Sequence, residues 1–112
     1  MFTIERVDAS NVQCVIHSLE SNVIRHVFAF YDLQHEPEHT TVYAAFENEN
    51  LKGYILIYTA LDFPSVILEC EENSAEKLIE HAPENRFIMH APPNLLEIIK
   101  SKFPNAIHYG EN

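Results

Sequence analysis

The chain has 112 residues and a mass of 12.9 kDa, the size of one domain and enough to bury a core without disulfide or metal staples. Apolar residues make up 46%, with seven Phe and five Tyr, which excludes a disordered chain. Seventeen acidic against 7 basic residues give a net charge of −10, so nucleic acid and anionic membrane are not expected partners, since both need clustered Lys and Arg.

The predicted elements begin with a strand over Phe2–Val7, with Phe2, Ile4 and Arg6 on one face. Ser10 and Gln13 have capping-box spacing and open a helix reaching about Glu20, with Val12, Val15, Ile16 and Leu19 as its apolar stripe. Ser21-Asn22 restarts a second helix running to about Gln34. Its Val23, Ile24, Val27, Phe28, Phe30, Tyr31 and Leu33 cover more than one face, so it is expected to lie between layers or beneath a ligand or partner.

Three strand-like runs follow. Thr40–Glu47 alternates Val42, Ala44 and Phe46 with Tyr43 and Ala45, and Asn48-Glu49-Asn50 turns the chain into Gly53–Thr59. Pro64 precedes Ser65–Cys70. The two later strands are apolar on both faces, as in a sheet covered on either side. Strands and helices then alternate. Asn73 and Glu76 resemble a capping pair for a helix over Ser74–Ala82, and Arg86–His90 is a short strand. Pro92 or Pro93 starts a helix ending near Phe103, and Ala106–Tyr109 is a last strand. Short strands alternating with helices favour parallel pairing in this half. The fold class is therefore α/β, an α+β mixed sheet in a three-layer sandwich of order β-α-α-β-β-β-α-β-α-β, formed by a single domain over residues 1–112.

Few features carry chemistry. Only Gly53 and Gly110 are glycines, so no glycine-rich phosphate cradle, dinucleotide fingerprint or Walker loop exists. The longest nearly apolar run, residues 54–61, is far short of the roughly 20 residues that span a bilayer. The N-terminus has neither the basic start nor the apolar stretch of a signal peptide. Cys14 and Cys70 read as buried thiols in a reducing cytoplasm. His35-Glu36-Pro37-Glu38-His39 matches H-E-x-x-H, the spacing of a zinc hydrolase, in which two imidazoles share a helix face. Pro37 interrupts such a helix, so a polar loop is the stronger reading and no metal is expected. Cys14 and His17 share a helix face, yet the flanking valines favour a core thiol over a nucleophile. Among the seven histidines, His90 at a strand end is the one most expected to face a cleft. Tyr54 and Tyr58 share a strand face and, with Tyr43, either line a pocket or pack the core. The acidic tract Glu69-Cys70-Glu71-Glu72 falls at a strand-to-helix turn, where carboxylates satisfy the helix dipole and repel an anion.

The element order resembles the GNAT superfamily of N-acyltransferases: one strand, two helices, three antiparallel strands, then alternating helices and strands. Thr41–Phe46 and Leu51–Tyr58 look like the second and third strands of such a domain, with its Gly-Tyr strand opening at Gly53-Tyr54. That family holds the acyl-CoA pyrophosphate on an Arg/Gln-x-x-Gly-x-Gly/Ala motif after the fourth strand. Here the position reads Glu71-Glu72-Asn73-Ser74-Ala75-Glu76-Lys77, without the glycines or the leading basic or amide residue. The resemblance implies an acetyltransferase fold, while the residues argue against a bound coenzyme, and no cofactor is expected.

Some members of the family carry a degenerate N-terminal lobe followed by an active one. The resemblance therefore implies either the N-terminal lobe of a longer two-lobe enzyme or a stand-alone degenerate lobe, inactive as this isolated chain. Its role would be to shape the acceptor site or an interface through Phe28, Tyr31, Tyr54 and Tyr58, with a second GNAT lobe or a further copy as partner. The alternative is a non-enzymatic module that associates with itself or another protein through an exposed strand or the second helix.

Overall fold

The computed structural model describes residues 2–8, 10–19, 31, 35, 37–48, 50–60, 63–83 and 87–103. In chain order these form β1 (Thr3–Arg6), α1 (Val12–Leu19), β2 (Thr40–Glu47), β3 (Asn50–Tyr58), β4 (Ser65–Cys70), α2 (Glu72–Ile79), β5 (Ile88–His90) and α3 (Leu96–Lys102). Short 3-10 turns occupy Pro37–His39 and Pro93–Leu95. Most of the expected second helix, and the last strand over Ala106–Tyr109, lie outside the described residues.

One five-stranded sheet runs in the order β1-β2-β3-β4-β5. The first three pairings are antiparallel and β4–β5 is parallel, as the shift from hairpin-like to alternating elements predicts. The sheet is covered on both faces. On one, Ala45, Ile55, Ile57, Val66 and Leu68 meet Ala75, Leu78 and Ile79 of α2 and Leu95 and Ile99 from the α3 segment. On the other, Val42, Ala44, Tyr54 and Leu56 meet Val15 of α1. β3 thus lies at the centre, which explains its apolar residues at both parities. A register shift at Ala45/Phe46 pairs Ala45 with Gly53 and Phe46 with Leu51. It brings Leu51 onto the Tyr54 face despite their odd spacing.

The β2–β3 hairpin turns at Asn48, whose φ of 54° is left-handed, a conformation that Asn tolerates better than most residues. Two helix starts differ from the capping pairs expected. Ahead of α1, Asp8 Oδ1 accepts from Ser10 N at 2.8 Å and also from the Ser10 hydroxyl, while Asn11 Oδ1 accepts from Asp8 N at 2.8 Å. The reciprocal pair is therefore Asp8–Asn11 rather than Ser10–Gln13. α2 begins at Glu72 with Glu71 as an extended N-cap that makes no side-chain capping bond. Asn73 and Glu76 lie inside that helix.

Cys14 also departs from expectation, being exposed, whereas Cys70 is half-buried; both are free. At 100° per residue, Cys14 is rotated off the Val12–Val15–Ile16 stripe, of which Val15 and Ile16 are buried.

Candidate functional site

Parallel strands place ligand sites beyond their C-terminal ends, where neighbouring connections part. Here β4 and β5 pair only from Ser65–Ile88 to Ile67–His90. β4 runs on through Leu68, Glu69 and Cys70, while the chain leaves β5 into Ala91-Pro92-Pro93, with Pro92 extended at φ −63° and ψ 149°. The β4–β5 ladder ends at this point, and α2 begins just beyond the C-terminal end of β4, at the mouth of the strand pair.

The connection across that mouth is one residue, Glu71, between Cys70 and Glu72. Ser74 N donates to Glu71 O at 3.1 Å, and the Ser74 hydroxyl donates to the same oxygen at 3.1 Å. Ser74 is fully buried. The turn therefore closes on itself, with an amide of the first helical turn already committed, and Glu71, Glu72 and Glu69 supply negative charge around it. Beneath it, Gly53 of β3 pairs with Cys70. A Cβ at Gly53 would stand 2.2 Å from Cys70 Cβ, so only glycine leaves room for Cys70 at this pair. Burial pushes the Cys70 thiol up to about 11; a Ser74 hydrogen bond opposes the shift, and Glu69 and Glu71 add to it. Cys70 is a thiol at neutral pH and no nucleophile.

The expected surface residues are dispersed. Tyr54 is 2% exposed and packs with Val15, Val42 and Leu56, within the core. Tyr58 is half-buried at the end of β3. Tyr31 is exposed, and Phe28 lies outside the described residues. Tyr43 stacks on His81 with centroids 4.1 Å apart, against the α2 and α3 side, so it does not join Tyr54 and Tyr58. His90 is exposed at the end of β5.

The H-E-x-x-H histidines lean on separate tyrosines. His35 is helical and lies 4.8 Å from the Tyr31 ring, whereas His39 meets Tyr58 edge-on at 6.5 Å. Pro37 opens the 3-10 turn that ends at His39, so the two imidazoles do not share one α-helical face. Thr59 N and Oγ1 both donate to His39 O, at 2.9 and 3.2 Å, tying that turn to the end of β3. Among the described residues no group of three or more His, Cys, Asp or Glu is placed to hold a metal. One feature the sequence did not signal is an open cleft of about 470 Å³ between β1, α1 and the β2–β3 hairpin. Thr3, Glu5, Asn11, Cys14, Phe46 and Asn48 line it. It arises from pairing between distant segments, which local spacing does not report.

Comparison with solved structures identifies the architecture. An aminoglycoside acetyltransferase from an uncultured soil metagenomic sample, in complex with trehalose, is 17% identical with a TM-score of 0.64. The likeness covers 99% of this chain and 93% of that one. A ribosomal-protein-alanine N-acetyltransferase from Brucella melitensis biovar Abortus is 14% identical with a TM-score of 0.58, over 100% of this chain and 97% of that one. A predicted acetyltransferase with acetyl-CoA from Clostridium acetobutylicum is 10% identical with a TM-score of 0.58, over 100% and 96%. The fold is that of the GNAT acetyltransferases. No family model matches the sequence, and no curated protein matches it.

This fold implies an acyl-CoA, whose pyrophosphate would need free amides or cations after β4. The residues present do not fit that group. The connection is a single residue, Ser74 N is taken by Glu71 O, and three carboxylates flank the mouth.

Proposed function

We propose that this chain is a GNAT-fold lobe that has lost pyrophosphate binding and serves an acetyltransferase by shaping its acceptor side or its interface with a second lobe. The observation that carries the reading is the β4–α2 junction. The β4–β5 ladder stops short of the end of β4, yet the connection that would bind an anion there is reduced to Glu71, between Cys70 and Glu72 and two residues after Glu69. A lobe with this junction contributes surface rather than coenzyme chemistry. Tyr31, Tyr58, His35 and His39 supply that surface: the Tyr31–His35 pair precedes the Pro37–His39 turn, the last residue of that turn meets Tyr58, and Tyr31 is 57% exposed. Aromatic and imidazole rings that are already packed lose little entropy when a partner covers them. Phe28 and Tyr54 are not needed for this reading.

A calorimetric titration with acetyl-CoA tests it. The expected result is no binding in the micromolar range at neutral pH. Micromolar binding by this chain alone would remove the reading, since the carboxylates at the junction would then not exclude a polyanion.

A further inference from the structure

An edge strand presents half of its backbone polar groups outward, and in β1 those groups can be assigned. Val7 N donates to Val42 O at 2.7 Å, continuing the register that pairs Thr3 with Phe46 and Glu5 with Ala44. Antiparallel ladders alternate, so Thr3, Glu5 and Val7 direct N–H and C=O at β2, and Phe2, Ile4 and Arg6 direct theirs away. Asn11 Nδ2 donates to Arg6 O at 3.1 Å, which agrees with that direction and caps the last outward carbonyl. Among the described residues no strand lies beyond β1, and Thr3, Glu5 and Arg6 are exposed.

We infer that β1 pairs antiparallel with β1 of a second copy of this chain, across a two-fold axis at Ile4, joining two sheets into one. Only residues of equal parity can meet when each copy keeps its two faces, and the outward groups are on even residues. Centring on Ile4 brings all three even residues, Phe2, Ile4 and Arg6, into the ladder. The two Ile4 residues exchange N–H···O bonds, and each Arg6 N–H donates to Phe2 O of the other copy. On the α2 and α3 face, Arg6 lies opposite the Phe2 ring, a favourable cation–aromatic pairing. On the α1 face, Thr3 lies opposite Glu5. Centring on Glu5 would oppose two carboxylates, which is unfavourable. Centring on Thr3 would leave Arg6 beyond the ladder.

A ladder of five residues per copy is smaller than the standard interface of about 1,600 Å², so the association is reversible and concentration-dependent. Each copy carries a net charge of −10, so salt strengthens the pairing by screening repulsion between the copies. Pairing through β1 requires neither an acceptor nor a coenzyme.

The register is tested by cross-linking on a Cys14→Ser background. Opposed Thr3 and Glu5 form a non-hydrogen-bonded pair with Cα atoms about 4.5 Å apart, within disulfide range. Oxidation of the Thr3→Cys/Glu5→Cys double variant should give a covalent dimer of the full chain, and neither single variant should. Preferential cross-linking of Glu5→Cys alone, or of Thr3→Cys alone, would overturn the register. Sedimentation equilibrium supplies the second readout. The wild-type average mass should rise above 12.9 kDa with concentration and with salt. Arg6→Pro should stay monomeric, because it deletes an outward donor and spares the β1–β2 ladder. Wild-type protein at monomer mass up to about 1 mM in about 0.5 M salt would also overturn the inference. Because the cross-link pattern does not depend on Arg6→Pro folding, the two measurements fail separately.

Discussion

Gly53 is the residue on which the β3–β4 contact turns. A Cβ there would meet Cys70 Cβ at 2.2 Å, Cys70 Cα at 2.7 Å and Glu69 O at 2.8 Å. Because two of the three contacts are with backbone, Gly53→Ala is expected to destabilise the fold by about 1–3 kcal/mol, the usual range for overpacking. Neither Cys70→Ala nor Cys70→Gly should restore it, and urea titration of the three variants checks this. A different measurement separates the two thiols. Exposed Cys14 should react with a disulfide reagent in the native state at pH 8, whereas half-buried Cys70, with its thiol held near 11, should not. The folded thiol binds its proton more tightly than the unfolded one, whose ordinary value is 9.0. Its contribution to stability is thus intact below pH 9 and declines between about 9 and 11. In the sequence, Gly53-Tyr54 was legible as part of a strand, though β3 opens three residues earlier, at Asn50. That Gly53 must face Cys70 was not, since this follows from register across a hairpin rather than from either segment alone.

The start of α1 depends on Asp8, two residues before the capping pair that spacing suggests. Its carboxyl is held below 3.8, first by the Ser10 hydroxyl and then by the Ser10 amide, with the Asn11 amide and Arg6 adding smaller effects. A lowered folded-state value means that the stabilisation is present above the ordinary carboxylate range and fades as pH falls through the folded value. Asp8→Ala should therefore lower the thermal midpoint at pH 7, and the gap to wild type should narrow towards pH 3. A gap that persists unchanged at pH 3 would assign the loss to something other than the carboxylate. Strand bounds are legible only where turn residues or a proline flank the run, and β3 begins at Asn50, three residues before the expected Gly53. Thr40–Glu47 and Ser65–Cys70 are found with the bounds that alternation and flanking residues give. Helix starts slipped by about two residues because Asp8, Ser10 and Asn11 are all competent caps. The choice among them goes with a contact to the preceding strand, Asn11 Nδ2 reaching Arg6 O five residues back, which helix-cap spacing alone does not report. Pro37 gave the correct warning at the H-E-x-x-H string, since proline there opens a 3-10 turn.

At the scale of the molecule, two layers of helix enclose a sheet whose antiparallel and parallel halves meet at β4. That arrangement was foreseeable, because hairpin spacing and strand–helix alternation are local signals. The point where the β4–β5 pairing stops, at Ile67 and His90, was not, because it depends on register between strands distant in sequence. Charge is the remaining whole-molecule term, and it is legible from composition alone. With 17 acids against 7 bases, compaction brings like charges within a screening length of about 10 Å at 0.1 M salt, and the unfolded chain spreads them apart. Raising sodium chloride should therefore raise the thermal midpoint, by roughly 4 °C for each 1 kcal/mol of repulsion relieved. Association through β1 would also raise it, by mass action. The two causes separate in Arg6→Pro: repulsion within one chain is nearly unchanged there, whereas the strand ladder between copies is gone. A salt-dependent midpoint that survives in Arg6→Pro and does not vary with protein concentration belongs to self-repulsion. One that vanishes with Arg6→Pro belongs to the paired sheet.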